Sequence, residues 1–188
     1  KFIDILNLIK KNGKDVPDIY NLPHDNEVYR YFSNGWNGDV FQFGSTGLTE
    51  YCKALKPRSM EDLIAANSLY RPGPMENGYH TTFAKCKNEG KVPEFLWGTK
   101  EITKDTFGLL VYQEQIMAAC HEVGGLTKKE SDDVRRAMGK QKLKDLLKWK
   151  SKVQAGFTDK GCDIATFEEV WNVMLEFAKY SFNKSHSA

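Results

Sequence analysis

Thr127-Lys128-Lys129-Glu130-Ser131-Asp132-Asp133-Val134-Arg135-Arg136-Ala137-Met138-Gly139-Lys140 decides the fold class of this chain. Thr127 and Glu130 have the spacing of a capping box, in which each side chain satisfies the other residue's backbone N–H at the start of a helix. Gly139 ends the helix thus begun, leaving cations at its C-terminus, where the helix dipole favours them. Immediately downstream, residues 142–160 read as a long basic helix with Leu143, Leu146, Leu147 and Val153 as apolar positions and Gly161 as its stop. Another helix starts at Asp163 and carries an apolar stripe of Ile164, Phe167, Trp171, Met174, Leu175 and Ala178. Upstream, residues 113–123 form a helix closed by Gly124-Gly125.

The N-terminal half has the same character. Ile3, Leu6 and Ile9 give a short amphipathic helix that Asn12-Gly13 ends. A second begins at Asp25 and runs through Val28, Tyr31 and Phe32 to Asn34-Gly35. Leu48, Tyr51 and Leu55 mark a third, closed by Pro57, and Ser59 with Asp62 opens a fourth that reaches Leu69. Arg71-Pro72-Gly73-Pro74 breaks the helical run, because each proline removes a backbone donor and biases its predecessor to extended geometry. Residues 79–89 are weakly helical and residues 90–104 read as a loop. Strand alternation is confined to Asp39-Val40-Phe41-Gln42-Phe43, between Gly38 and Gly44. The predicted class is therefore mainly α, a multi-helix unit with one short strand near residues 39–43.

With 188 residues, 40% hydrophobic and 28% charged, the chain can bury a real core as one domain or two small lobes. A formal net charge of +2 is too small to announce nucleic-acid binding, so such a role must rest on where the charge sits. Arg135, Arg136, Lys140, Lys142, Lys144, Lys148, Lys150 and Lys152 stand against Asp145 alone. Cys52, Cys86, Cys120 and Cys162 are far apart, with no C-x-x-C and no paired histidines, which argues against a zinc site or a disulfide framework and fits a reducing cytoplasm. No apolar run approaches the length needed to cross a bilayer. The chain begins at Lys1 and stops at Ser187-Ala188, and it reads as an excerpt.

Two runs carry candidate chemistry. Arg135 and Arg136 each offer a planar fork of donors and Lys140 a point charge one turn on, a set suited to a polyphosphate. Adjacent arginines near a helix C-terminus can equally be solvated complements of the dipole. Phe182-Asn183-Lys184-Ser185-His186-Ser187 follows a helix whose stripe anchors it in the core, so its polar groups sit on a rigid support able to read a base, a sugar or a phosphate. A frayed chain end is the plain alternative.

Four blocks in one order resemble the signature blocks of the fingers region of C-family DNA polymerases, the bacterial DNA polymerase III alpha subunit. They are Arg71-Pro72-Gly73-Pro74, then Gly108-Leu109-Leu110-Val111-Tyr112-Gln113-Glu114-Gln115-Ile116-Met117, then Arg135-Arg136-Ala137-Met138-Gly139-Lys140, then Phe182-Asn183-Lys184-Ser185-His186. Any one alone is weak; four in register across most of the chain is specific. Asp39-Val40-Phe41-Gln42-Phe43 looks like the family's segment leading from palm into fingers, so residues 1–45 would link the two and residues 46–188 would be a fingers subdomain truncated at its C-terminus.

The resemblance implies a DNA-directed DNA polymerase, a nucleotidyltransferase that extends a primer by two-metal transfer. Its Mg2+ ions would be held by palm aspartates outside this chain, with no cofactor in the chain itself and no activity of the fragment alone. Asp4 lies too close to Val40 to serve as one of those aspartates, and no catalytic residue is assigned. By motif, Arg135, Arg136 and Lys140 would take the triphosphate of the incoming deoxynucleotide. Asn183, Lys184, Ser185 and His186 would line its pocket, and Arg71 would buttress this surface or reach a phosphate. Lys142, Lys144, Lys148, Lys150 and Lys152 would face primer-template DNA. In the full enzyme a sliding clamp and other replisome subunits would be partners, without a membrane. Gly44 stands where the family commonly has an acidic residue and Gln141 where it has a lysine, departures that suggest a divergent member of bacterial or phage origin. Two rival classes remain open at this level: a non-enzymatic helical nucleic-acid-binding module, and a docking domain presenting Trp149, Trp171 and Tyr180.

Overall fold

Side-chain caps set where the helices begin. The computed structural model describes residues 2–19, 21, 23–140 and 143–187; Gln141 and Lys142 lie outside the described residues, as do the side chains of Leu143 and Lys144. After α1 (Phe2–Lys11), Asp25 accepts from the Glu27 N–H at 2.9 Å to start α2 (Asn26–Asn34). Ser45 accepts from Leu48 at 3.3 Å ahead of α3 (Thr46–Leu55), and Ser59 accepts from Asp62 at 3.2 Å ahead of α4 (Met60–Leu69). These oxygens satisfy N–H groups that have no partner inside the helix.

The Arg71-Pro72-Gly73-Pro74 turn does end α4, and Pro72 then occupies the first turn of a short α5 (Pro72–Glu76), where its missing donor costs nothing. It is followed by α6 (Tyr79–Glu89) and by α7 (Lys100–Thr103), which continues as a single 3-10 turn to Thr106. Residues 90–104 are thus not loop throughout: Thr99 Oγ1 and Thr103 Oγ1 donate to the carbonyls of Leu96 and Thr99, closing turns that have no apolar periodicity to announce them. Next come α8 (Gln113–Ala118), extended by a π turn over Ala119–Val123, then α9 (Lys128–Gly139), α10 (Leu143–Asp159), α11 (Ile164–Ala178) and α12 (Lys184–Ser187).

The molecule is mainly α, and the strand expected at residues 39–43 is absent. Val40 N–H bonds Asn37 O at 3.1 Å and Phe43 N–H bonds Val40 O at 2.9 Å, so two reverse turns replace extended chain. Gln42 adopts a left-handed φ of 64°. A strand needs a neighbouring edge to pair its alternate groups, and among the described residues the sole β contact is an isolated parallel bridge between Tyr112 and Phe182. Here buried Asn37 supplies the partner instead, donating to Phe43 O at 2.7 Å, while Phe41 stays 85% exposed.

Two hydrophobic clusters form the interior. Tyr29, Phe32, Leu48, Leu55, Leu69 and Phe83 build the first from α2, α3, α4 and α6. Ile116, Met138, Phe157, Phe167 and Met174 build the second from the C-terminal helices. They meet at Leu110-Val111-Tyr112, where Leu110 joins the second cluster and its two successors the first. Some stripe positions differ from the sequence reading: Val28, Tyr31, Leu147 and Ile164 face solvent, whereas Tyr29, Phe157, Val170 and Phe177 point inward.

Candidate nucleotide-binding site

The N-terminal turn of α8 is where distant parts of the chain converge. Within it, the buried Gln115 side chain reaches back to accept from the N–H groups of Val111 (2.7 Å) and Tyr112 (2.9 Å) and donates to Thr106 Oγ1 (2.7 Å). The entry to α8 is therefore held rigidly. Gln113 then faces two ways: its N–H donates to Phe182 O at 2.9 Å, and its Oε1 accepts from Arg135 Nη1 at 3.0 Å. Through this one residue the α9 arginine and the C-terminal run share a support.

Neighbouring groups complete the attachment. Glu114 accepts from the Lys184 N–H at 3.1 and 3.2 Å, a carboxylate at the start of α12, and Lys184 Nζ lies 5.3 Å from the Tyr112 ring centre. The His186 ring meets Phe182 edge-on at 5.6 Å. Asn183 and Ser185 are exposed and hydrogen-bonded to each other. Arg71 donates to Ser68 O at 2.8 Å and Tyr180 O at 2.9 Å, with its guanidinium 4.5 Å above the Phe182 ring. Every polar contact of Arg71 is thus to backbone. Gly73 permits this approach, since a Cβ there would stand 3.0 Å from the Tyr180 ring. Asn67 joins Ser187 Oγ (2.7 Å) to Gln42 Oε1 (3.0 Å), tying the 37–43 turns to the same region.

The α9 cations divide. Arg135, 25% exposed, donates Nε and Nη2 to Asp132 Oδ1 at 2.9 and 2.7 Å; Arg136, 62% exposed, meets Asp132 Oδ2 at 2.7 Å. Hydrogen bonds from Arg135, reinforced by the charge of both guanidiniums, hold the Asp132 carboxyl below the usual carboxylate range against the opposing pull of burial. Arg136 and Lys140 line a cleft of about 310 Å³ between α9 and α10 with Asp133, Asp145, Lys148 and Trp149. Further along α10, Lys150 is paired with Glu168 at 2.6 Å and Lys152 with Glu130. On another side of α8, a groove of about 270 Å³ is lined by Glu101, Asp105, Glu114 and Glu122 with only Lys184 to offset them, so its field opposes a polyanion.

Trp171 lies in the core at Phe167 and takes no part in any surface, while Trp149 is half-buried with Lys148 Nζ 5.4 Å from its ring. Tyr180 is held by Glu176 and Asn77 through its hydroxyl. All four cysteines are buried, and burial pushes Cys52 up to about 11 and Cys120 up to about 12, which keeps both as neutral thiols. Among the described residues no three His, Cys, Asp or Glu side chains converge to hold a metal ion. No described helix is long and apolar enough to cross a membrane.

Asp132 and Asn67 join the candidate site although sequence reasoning singled out neither, and Gln113 and Glu114 stood in a motif block without a role of their own. Asp132 had a legible signal, an acid three and four positions before two arginines. Asn67 had none, because its partners are remote in the chain.

Residues 2–161 match the family described as Bacterial DNA polymerase III alpha subunit finger domain. The DNA polymerase III subunit alpha of Saccharopolyspora erythraea is 38% identical over 191 residues, covering 98% of this chain and 16% of the relative. The subunit of the same name from Aquifex aeolicus is 38% identical over 183 residues, with 96% and 16% covered, and that from Campylobacter jejuni 38% over 185 residues, with 97% and 15%. The chain thus spans roughly a sixth of the length of these relatives. On that extended match, with the four blocks gathered around α8 and α9, the chain belongs to the finger-domain family of bacterial DNA polymerase III alpha subunits.

Proposed function

We propose that this chain is the nucleotide-gripping fingers portion of a replicative DNA-directed DNA polymerase. The carrying observation is the relay Arg135–Gln113–Phe182, which mounts Arg135 of α9 and the 182–187 run on one rigid helix start. Arg136 and Lys140 would meet the triphosphate of an incoming deoxynucleotide with Arg135 as their brace, and Asn183, Lys184, Ser185 and His186 would meet its base or sugar. As charge develops on the departing pyrophosphate, preset cations need not reorganise, which lowers the barrier. Lys148, with the other lysines of residues 142–152, would follow the phosphates of primer-template DNA. Ion pairs of Lys150 and Lys152 at the surface are weak enough to exchange for phosphate. Metal ions, the sliding clamp and further replisome subunits belong to this reading through the family and would engage other parts of the polymerase. Arg71, bound to backbone carbonyls and Phe182, would hold the C-terminal run in place.

In the complete polymerase, Arg136→Ala is expected to lower single-turnover incorporation of every nucleotide about tenfold or more, since a charge-assisted contact contributes roughly 1.5–3 kcal/mol. Primer-template affinity should stay nearly constant. Unchanged incorporation would remove the triphosphate role.

A further inference from the structure

Adjacent residues on a helix point about 100° apart, so two neighbouring guanidiniums cannot share one direction without a third group. A carboxylate three and four positions earlier is placed to reach both. Asp132 occupies that position and gives one oxygen to each arginine: Oδ1 to Nε and Nη2 of Arg135, Oδ2 to Nη2 of Arg136. The two arginines are not equivalent. Arg135 is three-quarters buried and has Nε, Nη1 and Nη2 engaged, the first and third by Asp132 and the second by Gln113. Arg136 is largely exposed, has one carboxylate contact, and faces the α9–α10 cleft beside Lys140 and Lys148.

We propose that Asp132 is a positioning residue that divides the arginine pair, locking Arg135 into the support of the 182–187 run and holding Arg136 ready for transfer to the phosphates of a nucleoside triphosphate. This rests on the triphosphate reading above and adds to it a role for an acidic side chain in an otherwise cationic site. A carboxylate beside a polyphosphate lowers affinity for that anion; it is useful only if the geometry it imposes matters more than the charge it adds. Substrate phosphates then compete with Asp132 Oδ2 for Arg136, while Oδ1 keeps Arg135 in place. Asp133 and Asp145 also face the cleft and Glu114 lies beside Lys184, but the carboxylate that bonds both guanidiniums is that of Asp132.

The test uses the complete polymerase, with inorganic tripolyphosphate as the binding probe and single-turnover incorporation as the chemical readout. Asp132→Asn removes one negative charge. It should bind tripolyphosphate as tightly as the parent or about threefold more tightly, yet incorporate nucleotide about tenfold more slowly. Asp132→Glu should recover most of that rate. Arg135→Lys, which keeps the charge and loses the fork, should likewise slow incorporation without weakening tripolyphosphate. A rate unchanged by Asp132→Asn overturns the proposal. So does a fall in rate, binding and thermal midpoint together in both Asp132→Asn and Arg135→Lys, which would mean that the carboxylate only holds the fold. If Arg136→Ala changes neither incorporation nor tripolyphosphate binding, the triphosphate reading itself fails, an outcome separate from any result at Asp132.

Discussion

Gln115 is a buried side chain with a partner for both ends of its amide. Its oxygen satisfies the N–H groups of Val111 and Tyr112, and its nitrogen reaches Thr106 Oγ1 and, at 3.3 Å, Ile102 O. Those two N–H groups belong to buried residues at the junction of the hydrophobic clusters, and an orphaned buried donor costs about 1–3 kcal/mol. Gln115→Ala is therefore expected to destabilise the domain by on the order of 2–4 kcal/mol in a denaturant titration. A loss below about 1 kcal/mol would show that some other group takes over the two donors. The same reasoning separates Arg71 from the cations of α9. Its Nε and Nη2 donate to Ser68 O and Tyr180 O, and burial lowers its affinity for the proton, as befits an arginine that props a loop.

At the scale of elements, α9 depends on its cap and on its contact with α10. Thr127 accepts from the Glu130 N–H at 3.3 Å and Glu130 accepts in return from the Thr127 N–H at 2.9 Å, while Lys152 of α10 pairs with the same carboxylate. The Lys152 bond first, then the Thr127 bonds, hold the Glu130 carboxyl down at about 2. Because the folded value lies below the ordinary glutamate value of about 4.3, this group stabilises the fold above pH ~4.3 and progressively ceases to as pH falls toward 2. An NMR titration of the Glu130 carboxyl should show a midpoint near 2, and Glu130→Gln should remove that share of the acid sensitivity of unfolding. A midpoint near 4 would mean that the box and the α10 pair do not favour the charged carboxylate in solution. Where α10 crosses the end of the π turn, a Cβ on Gly156 would stand 2.2 Å from Gly124 O, a backbone atom that cannot swing aside. Gly156→Ala should destabilise by about 2–3 kcal/mol through overpacking, read as a lowered midpoint in thermal unfolding. A neutral result would mean that α10 sits farther from Gly124.

Across the whole molecule, the candidate site is assembled because α8 stands between the two hydrophobic clusters and both basic runs attach to its first turn. Arg71 reaches Tyr180 from the far side, so Arg71→Lys should loosen the 180–187 run. Hydrogen exchange at the Gln113 amide, whose acceptor is Phe182 O, should then quicken about tenfold, the consequence of losing roughly 1.4 kcal/mol of local support. Unaltered protection there would show that the run is held without Arg71. Much of this architecture was legible in the residues alone. Asp25, Ser59, Thr127 and Asp163 each announced a helix start, and each does accept from an N–H two or three positions on, because capping is settled within one turn of chain. Helical class, helix starts and family membership follow from such local chemistry and from the order of the motif blocks. Packing decided the rest. Val40 and Phe41 have strand-forming side chains, yet no edge lies beside them, so they turn back on Asn37. Arg135 and Arg136 are alike in sequence, and only the placement of α8 and α10 on either side of α9 makes one a brace and the other an exposed donor. A hydrogen bond between residues 22 positions apart, such as Arg135 to Gln113, depends on how three helices settle against a shared core, and local periodicity carries no record of that.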